Sequence, residues 1–171
     1  LRLLESEDFS PIKYFLEPIT ISLNYLDDEF DYQSYSMIGI SGGGWTTTLY
    51  SAIDERISKS FSIAGSYPIY LRSEPKNLGD YEQTVPELYS ISNYLELYIM
   101  NSYGLNRSHM QFFNENDPCC FSGTAFESYG DLIKQKIDSL GQGNFEIYLD
   151  DTHNEHKISE HVLNKILEHL P

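Results

Sequence analysis

Cysteine is nearly absent from this chain: there are two in 171 residues, and they are neighbours, Cys119 and Cys120. Adjacent cysteines make no disulfide framework, and one pair cannot staple distant loops. A metal centre would need further His or Cys partners at ligand spacing, and none is evident near them in the chain. They read as small apolar side chains and leave the redox compartment undecided. Basic residues are scarce too, 11 against 26 acidic ones, for a net charge of −15. Such a chain repels phosphate backbones, which argues against nucleic acid as a partner and makes anionic membrane surfaces little better. No stretch approaches the ~18 uninterrupted apolar residues of a membrane span. G-x-G-x-x-G and P-loop patterns are missing, and no cofactor is expected. Internal repeats and low-complexity tracts are missing as well. The chain begins Leu1-Arg2-Leu3-Leu4, without Met, a basic n-region or a long apolar h-region. No signal peptide is visible, and the missing Met raises the expectation of a segment upstream.

What is present argues for a folded globule: 40% hydrophobic and 14% aromatic residues, in a length suited to one domain with a sizeable core. Residues 11–31 carry apolar positions at helical spacing and end in an acidic run, which predicts an amphipathic helix broken near Pro18. That acidic run, Asp27 to Asp31, lacks the alternating ligands of a calcium loop and reads as a solvated helix end. Tyr35 to Ile40 predicts a short strand buried on both faces. Trp45 to Ile57 predicts a helix with Leu49, Ile53 and Ile57 on one face, and Lys59 to Ala64 a second strand. A Tyr-, Ser-, Pro- and Gly-rich loop follows over residues 65–85, then one helix from Pro86 to Asn101. Ser108 to Asn114 predicts a third strand, Tyr129 to Leu140 a helix closed by Gly141, Asn144 to Leu149 a fourth strand, and Ile158 to Leu170 a final helix. Strand–helix alternation with apolar strands predicts an α/β fold: a mostly parallel sheet flanked by helices. One domain is expected over residues 1–171, with residues 65–107 as a loop-plus-helix excursion at its ligand-binding rim.

The chemistry-bearing pattern is Gly39-Ile40-Ser41-Gly42-Gly43, a G-x-S-x-G pentapeptide between the first strand and the next helix. A serine at such a turn is held exposed, and glycines Gly39 and Gly43 leave room for the backbones to pass. The hydroxyl needs a base, and histidine takes and returns a proton near neutrality. A carboxylate behind the imidazole fixes its tautomer, and backbone N–H groups hold the developing oxyanion, with Gly42 as the natural first donor. In parallel sheets ligands sit beyond the carboxyl ends of the strands. Asp117 follows the third strand there, and His153 and His156 follow the fourth. Asp117 is the favoured acid, ahead of Glu115 and Asp150. His156 is favoured over His153 because it stands next to a helix start. His109, His161 and His169 read as structural or solvated, and Trp45 as helix packing rather than site lining.

With these residues in the order Ser, Asp, His, the chain resembles the second half of the α/β-hydrolase superfamily. The pentapeptide looks like that family's nucleophile elbow. Phe113-Asn114-Glu115-Asn116-Asp117-Pro118 resembles its acid-bearing turn, and His153-Asn154-Glu155-His156 sits where it keeps its histidine loop. The resemblance implies a serine hydrolase cleaving small or medium carboxylic esters through an acyl-enzyme, with a small-molecule ester as substrate. A peptidase or thioesterase with the same triad, or a catalytically silent hydrolase-like binding module, are the alternatives. It also implies that the family's earlier strands, and the loop carrying the second oxyanion donor, lie in an N-terminal segment or partner chain that completes the sheet.

Overall fold

The computed structural model describes residues 1–170. Its centre is a four-stranded parallel sheet of β1 (Tyr35–Ile40), β2 (Ile57–Ile63), β3 (Ser108–Asn114) and β4 (Asn144–Asp150), in spatial order β1-β2-β3-β4. Six helices accompany it: α1 (Lys13–Glu29), α2 (Gly42–Ile53), α3 (Pro86–Ile91), α4 (Tyr94–Ser102), α5 (Gly130–Leu140) and α6 (Glu160–His169). This is the expected α/β architecture. The strands lie in sequence order with helical crossovers, so every carboxyl end points to the same rim.

The period-two alternation of the strands divides the core into two layers. Phe61 and Ile63 of β2, with Met110 and Phe112 of β3, face one side, where Val162 and Ile166 of α6 cover them. On the other side, Phe113 and Phe145 meet Trp45, Leu49, Tyr98, Ile133 and Ile137 from α2, α4 and α5. That second face also carries polar side chains, each needing a partner once buried. Ser62 Oγ donates to Gly44 O at 2.9 Å and meets Thr48 Oγ1 at 3.1 Å; Gln111 Oε1 accepts from Tyr129 Oη at 2.8 Å.

Several expectations need correction. β1 is not buried on both faces: its residues alternate between half-buried and exposed, and Ile38 is 44% exposed. Among the described residues β1 pairs on one side only, with β2. The helix after the serine begins at Gly42 rather than Trp45 and stops at Ile53, so Ile57 belongs to β2 and Ile53 is exposed. α1 runs unbroken through Pro18, well inside the helix. The expected helix over residues 86–101 is two helices, because Asn93 starts a new one. Its side chain accepts from the backbone N–H groups of Leu95 and Glu96, while Glu96 accepts the Asn93 N–H in return. Trp45 is fully buried and donates to Tyr89 Oη at 2.8 Å, a packing role as expected.

His109 stands in the interior of β3, between the rings of Tyr98 and Phe145, with Nδ1 2.7 Å from Ser60 Oγ. Its Nε2 is buried without a partner. Burial drives its pKa down to about 3, against 6.5 for a free imidazole. Above pH 6.5 the ring is neutral whether folded or unfolded and titration contributes nothing. Below it the unfolded chain takes up a proton that the folded chain refuses until about pH 3, so stability falls as pH falls through that window. Urea unfolding should show wild type losing about 2 kcal/mol more than His109→Gln between pH 6.5 and 5, from ~1.4 kcal/mol per pH unit. Parallel losses in the two proteins would contradict this account.

Candidate active site

The rim is built from the strand ends upward. β1 keeps its ladder to the last residue, since the Ser41 N–H donates to Ile63 O at 2.9 Å. The chain then reverses within Ser41 itself, whose φ of 58° and ψ of −124° are rarely adopted by a residue with a side chain. Such a conformation costs on the order of 1–3 kcal/mol and persists only where the surroundings impose it. Here the surroundings are glycines. A Cβ on Gly39 would fall 2.2 Å from Gly43 O, and one on Gly44 2.7 Å from Ile63 O and 2.8 Å from Gly65 Cα. Gly43 itself has open space around its missing Cβ. The second cramped position is therefore Gly44, one residue beyond the pentapeptide, while Gly43 contributes the backbone that crosses Gly39.

Three glycines make a poor first turn for a helix. The next three residues turn back onto it: the hydroxyls of Thr46, Thr47 and Thr48 donate to the carbonyls of Gly42, Gly43 and Gly44 at 2.9, 2.9 and 3.1 Å. The amides of the first turn have no intrahelical acceptor by their position. Gly42, exposed at this end, therefore presents its N–H beside Ser41.

Asp117 is buried in the turn after β3. Its Oδ1 accepts the backbone N–H groups of Cys119 at 2.7 Å and Cys120 at 3.4 Å; its Oδ2 accepts from Asn114 Nδ2 at 3.1 Å. His156 completes the shell, with Nδ1 2.7 Å from Asp117 Oδ2. This contact leaves Nε2 as the imidazole nitrogen free for chemistry.

The two histidines are separated by their partners. His153 Nδ1 accepts the Glu155 N–H at 3.1 Å, and its Nε2 lies 3.3 Å from Asp150 Oδ2. Asp150 in turn accepts from Ser159 Oγ at 2.5 Å and from the Thr152 hydroxyl and N–H at 2.6 and 3.0 Å. Burial alone would raise the Asp150 pKa, but the Ser159 and Thr152 hydrogen bonds outweigh it and hold the group below the usual carboxylate range. Ser159 also caps α6 by accepting the Val162 N–H at 3.0 Å. Asp150 and His153 thus shape the β4–α6 loop, and Glu115 is exposed. Asn114 escaped the sequence reading. Its Nδ2 reaches Asp117 and also the carbonyls of Lys157 at 3.1 Å and Glu155 at 3.5 Å, tying the aspartate turn to the histidine loop. The available signal was an amide closing the strand that leads into the Asp117 turn.

Ser41 opens onto a cleft of about 270 Å³ that it shares with Gly42, Lys76, Asp80, Gln83 and Cys120. Lys76, Asp80 and Gln83 come from the loop after β2. Lys76 Nζ donates to Ser122 Oγ at 2.6 Å, which ties this cation of the cleft lining to the segment after the cysteines. Among the described residues no hydrogen bond joins the Ser41 hydroxyl to either imidazole. A larger cavity, about 610 Å³, lies around Arg56, Lys59 and Arg107. It is at the amino ends of the strands and has no nucleophile–base pair, so the smaller cleft is the better candidate. The cysteines also differ from expectation: their sulfurs are joined, and the fold brings His156 to them from β4's loop. Cys119, Cys120 and His156 donor atoms all lie within 4.8 Å of one another, the one such cluster of metal-ligating side chains among the described residues.

No family model and no curated protein matches the sequence. Solved structures do match in shape. Pyrococcus horikoshii acylaminoacyl peptidase superposes with a TM-score of 0.58 at 16% identity, over 90% of this chain and 27% of its own. A puromycin hydrolase bound to PGG gives 0.57 at 12% identity, over 86% and 22%. A Klebsiella pneumoniae protein assigned as a dienelactone hydrolase gives 0.54 at 12% identity, over 88% and 56%. The chain therefore spans from about a quarter to just over half the length of the solved chains it resembles.

The glycine geometry makes a contrast that thermal or urea unfolding can read. Gly39→Ala should lose about 3 kcal/mol, since the two nearest atoms its new methyl meets are the backbone carbonyl of Gly43. Gly43→Ala should be neutral or gain up to about 1 kcal/mol from helix propensity. Equal effects at the two positions would refute the assignment of the crossing point to Gly39.

Proposed function

We propose that this chain, which has the α/β-hydrolase fold, belongs to a serine hydrolase that cleaves carboxylic esters. The observation that carries the reading is the Asp117–His156 contact of 2.7 Å on the rim where Ser41 is turned outward. In the proposed cycle His156 Nε2 takes the Ser41 proton as the oxygen attacks the substrate carbonyl. Asp117 holds the ring by Nδ1 and stabilises the imidazolium. The Gly42 N–H donates to the developing oxyanion, as one donor of the pair such a site needs. His156 then returns the proton to the leaving alcohol, and water, activated by the same ring, releases the acid. The Ser41–His156 hydrogen bond is expected to tighten with substrate bound, since catalytic hydrogen bonds are often long in empty sites.

The size of the cleft supports small or medium acyl groups. Amide or thioester bonds would use the same groups, and one of the solved neighbours is named a peptidase. His153 is assigned no part in the chemistry, because its ring is engaged within its own loop.

A fluorophosphonate probe should label the chain at Ser41, and Ser41→Ala should abolish the label. Initial rates with short p-nitrophenyl esters should fall at least ~10³-fold in Ser41→Ala and His156→Ala, and by less than about tenfold in His153→Ala. Labelling without turnover would favour the binding-module alternative. A loss in His153→Ala as deep as in His156→Ala would overturn the choice of base.

A further inference from the structure

We propose that the Cys119–Cys120 pair, once reduced, forms with His156 a binding site for a thiophilic divalent cation of the zinc or cadmium type, and that occupancy silences the rim. The inhibitory limb rests on the hydrolase reading above; the binding site itself does not.

Three observations converge on it. First, with the two sulfurs joined, the donor atoms of Cys119, Cys120 and His156 lie within 4.8 Å of one another, so the fold already holds an imidazole nitrogen beside the pair that reduction would open. Two sulfurs and an imidazole nitrogen form a donor set suited to zinc, whose tetrahedral sites accept a fourth ligand from water. Second, the imidazole is already oriented. His156 Nδ1 is held by Asp117 at 2.7 Å, so Nε2 is the nitrogen an ion would take, and a carboxylate behind a ligating histidine strengthens such a ligand. Third, the backbone of the pair is anchored independently of its sulfurs, because the N–H groups of Cys119 and Cys120 point to Asp117 Oδ1. Opening the S–S bond therefore need not release the two residues from the rim. Cys119 is exposed and Cys120 and His156 are half-buried, which gives reductant and ion access from solvent.

The chemistry balances in two steps. A dithiol reductant supplies two electrons and two protons; the Cys119–Cys120 S–S bond breaks, two thiols form, and the reductant leaves as its own disulfide. The cation then replaces the two thiol protons, which pass to solvent, and takes the Nε2 lone pair of neutral His156. That lone pair is the one the hydrolytic cycle needs to accept the Ser41 proton. Metal binding and general-base action are thus mutually exclusive. In the disulfide form the sulfurs have no thiolate charge to offer, so the same chain is insensitive to the ion.

Titration of the whole chain with Cd²⁺ alone, followed by the ultraviolet sulfur-to-metal charge-transfer band, tests the site without any activity. Dithiol-treated wild type should show a band saturating at one equivalent, and the untreated disulfide form should show none. Cys119→Ser and Cys120→Ser should each lose most of it, while His156→Ala should keep the band but bind at least ~10-fold more weakly. Zn²⁺ should then inhibit ester hydrolysis of the reduced protein and leave the oxidised protein unaffected. An absent band in the reduced wild type, or equal affinity in His156→Ala, would overturn the site. A saturating band in a chain with no hydrolysis in either redox state would keep the site and reject the hydrolase reading instead.

Discussion

A buried negative charge organises this rim. Asp117 has almost no contact with solvent, and a carboxylate withdrawn from water is tolerable only when its oxygens are fully engaged. Its four donors come from three stretches of chain: the backbone of Cys119 and Cys120, the Asn114 amide at the end of β3, and the His156 ring beyond β4. Each is individually a modest interaction, but hydrogen bonds to a charge are the stronger kind and here they share one acceptor group. The carboxylate thus fixes the turn after β3 and the loop after β4 as one unit. Asn114 extends the unit by gripping the carbonyls of Glu155 and Lys157 on either side of the histidine. The position of the imidazole is a consequence of these contacts rather than of its own loop alone.

Much of this was legible in the chain and some was not. β1 and β3 have the bounds expected from the sequence, Tyr35–Ile40 and Ser108–Asn114, because short runs with sharp flanks leave little freedom in where a strand begins and ends. The turn at Ser41 was legible because its Gly-flanked serine stands between an apolar strand and a helix; the positive φ of the serine came from the structure. The break at Asn93 was hidden by apolar periodicity that continues across it; the capping box that makes it is a short-range pattern read only with hindsight of the helix start. The passage of α1 through Pro18 shows tertiary packing overriding a local penalty, since Leu23 is buried against Tyr50 and Ile57 one turn further on. Gly44 was missed because its constraint comes from Ile63 and Gly65, on another strand and its loop.

The histidine choice illustrates the limit of spacing as a guide. Adjacency to the final helix favoured His156, and His156 is the ring that meets Asp117, but the reason lies elsewhere. Asp150 and Ser159 tie the helix start to the end of β4, and His153 lies against that Asp150 carboxylate while His156 meets Asp117. The cysteines make the same point from the other direction. Nothing beside them in sequence suggests a third ligand, and the fold supplies one through the long return of the chain along α5 and β4.

The threonine triplet of α2 carries a consequence of its own. It adds a second hydrogen bond to each of the carbonyls of Gly42, Gly43 and Gly44 and leaves the amides of the same turn unshared. The amides at the head of α2 therefore point out of the turn beside Ser41, at the end of a helix where negative charge is favoured.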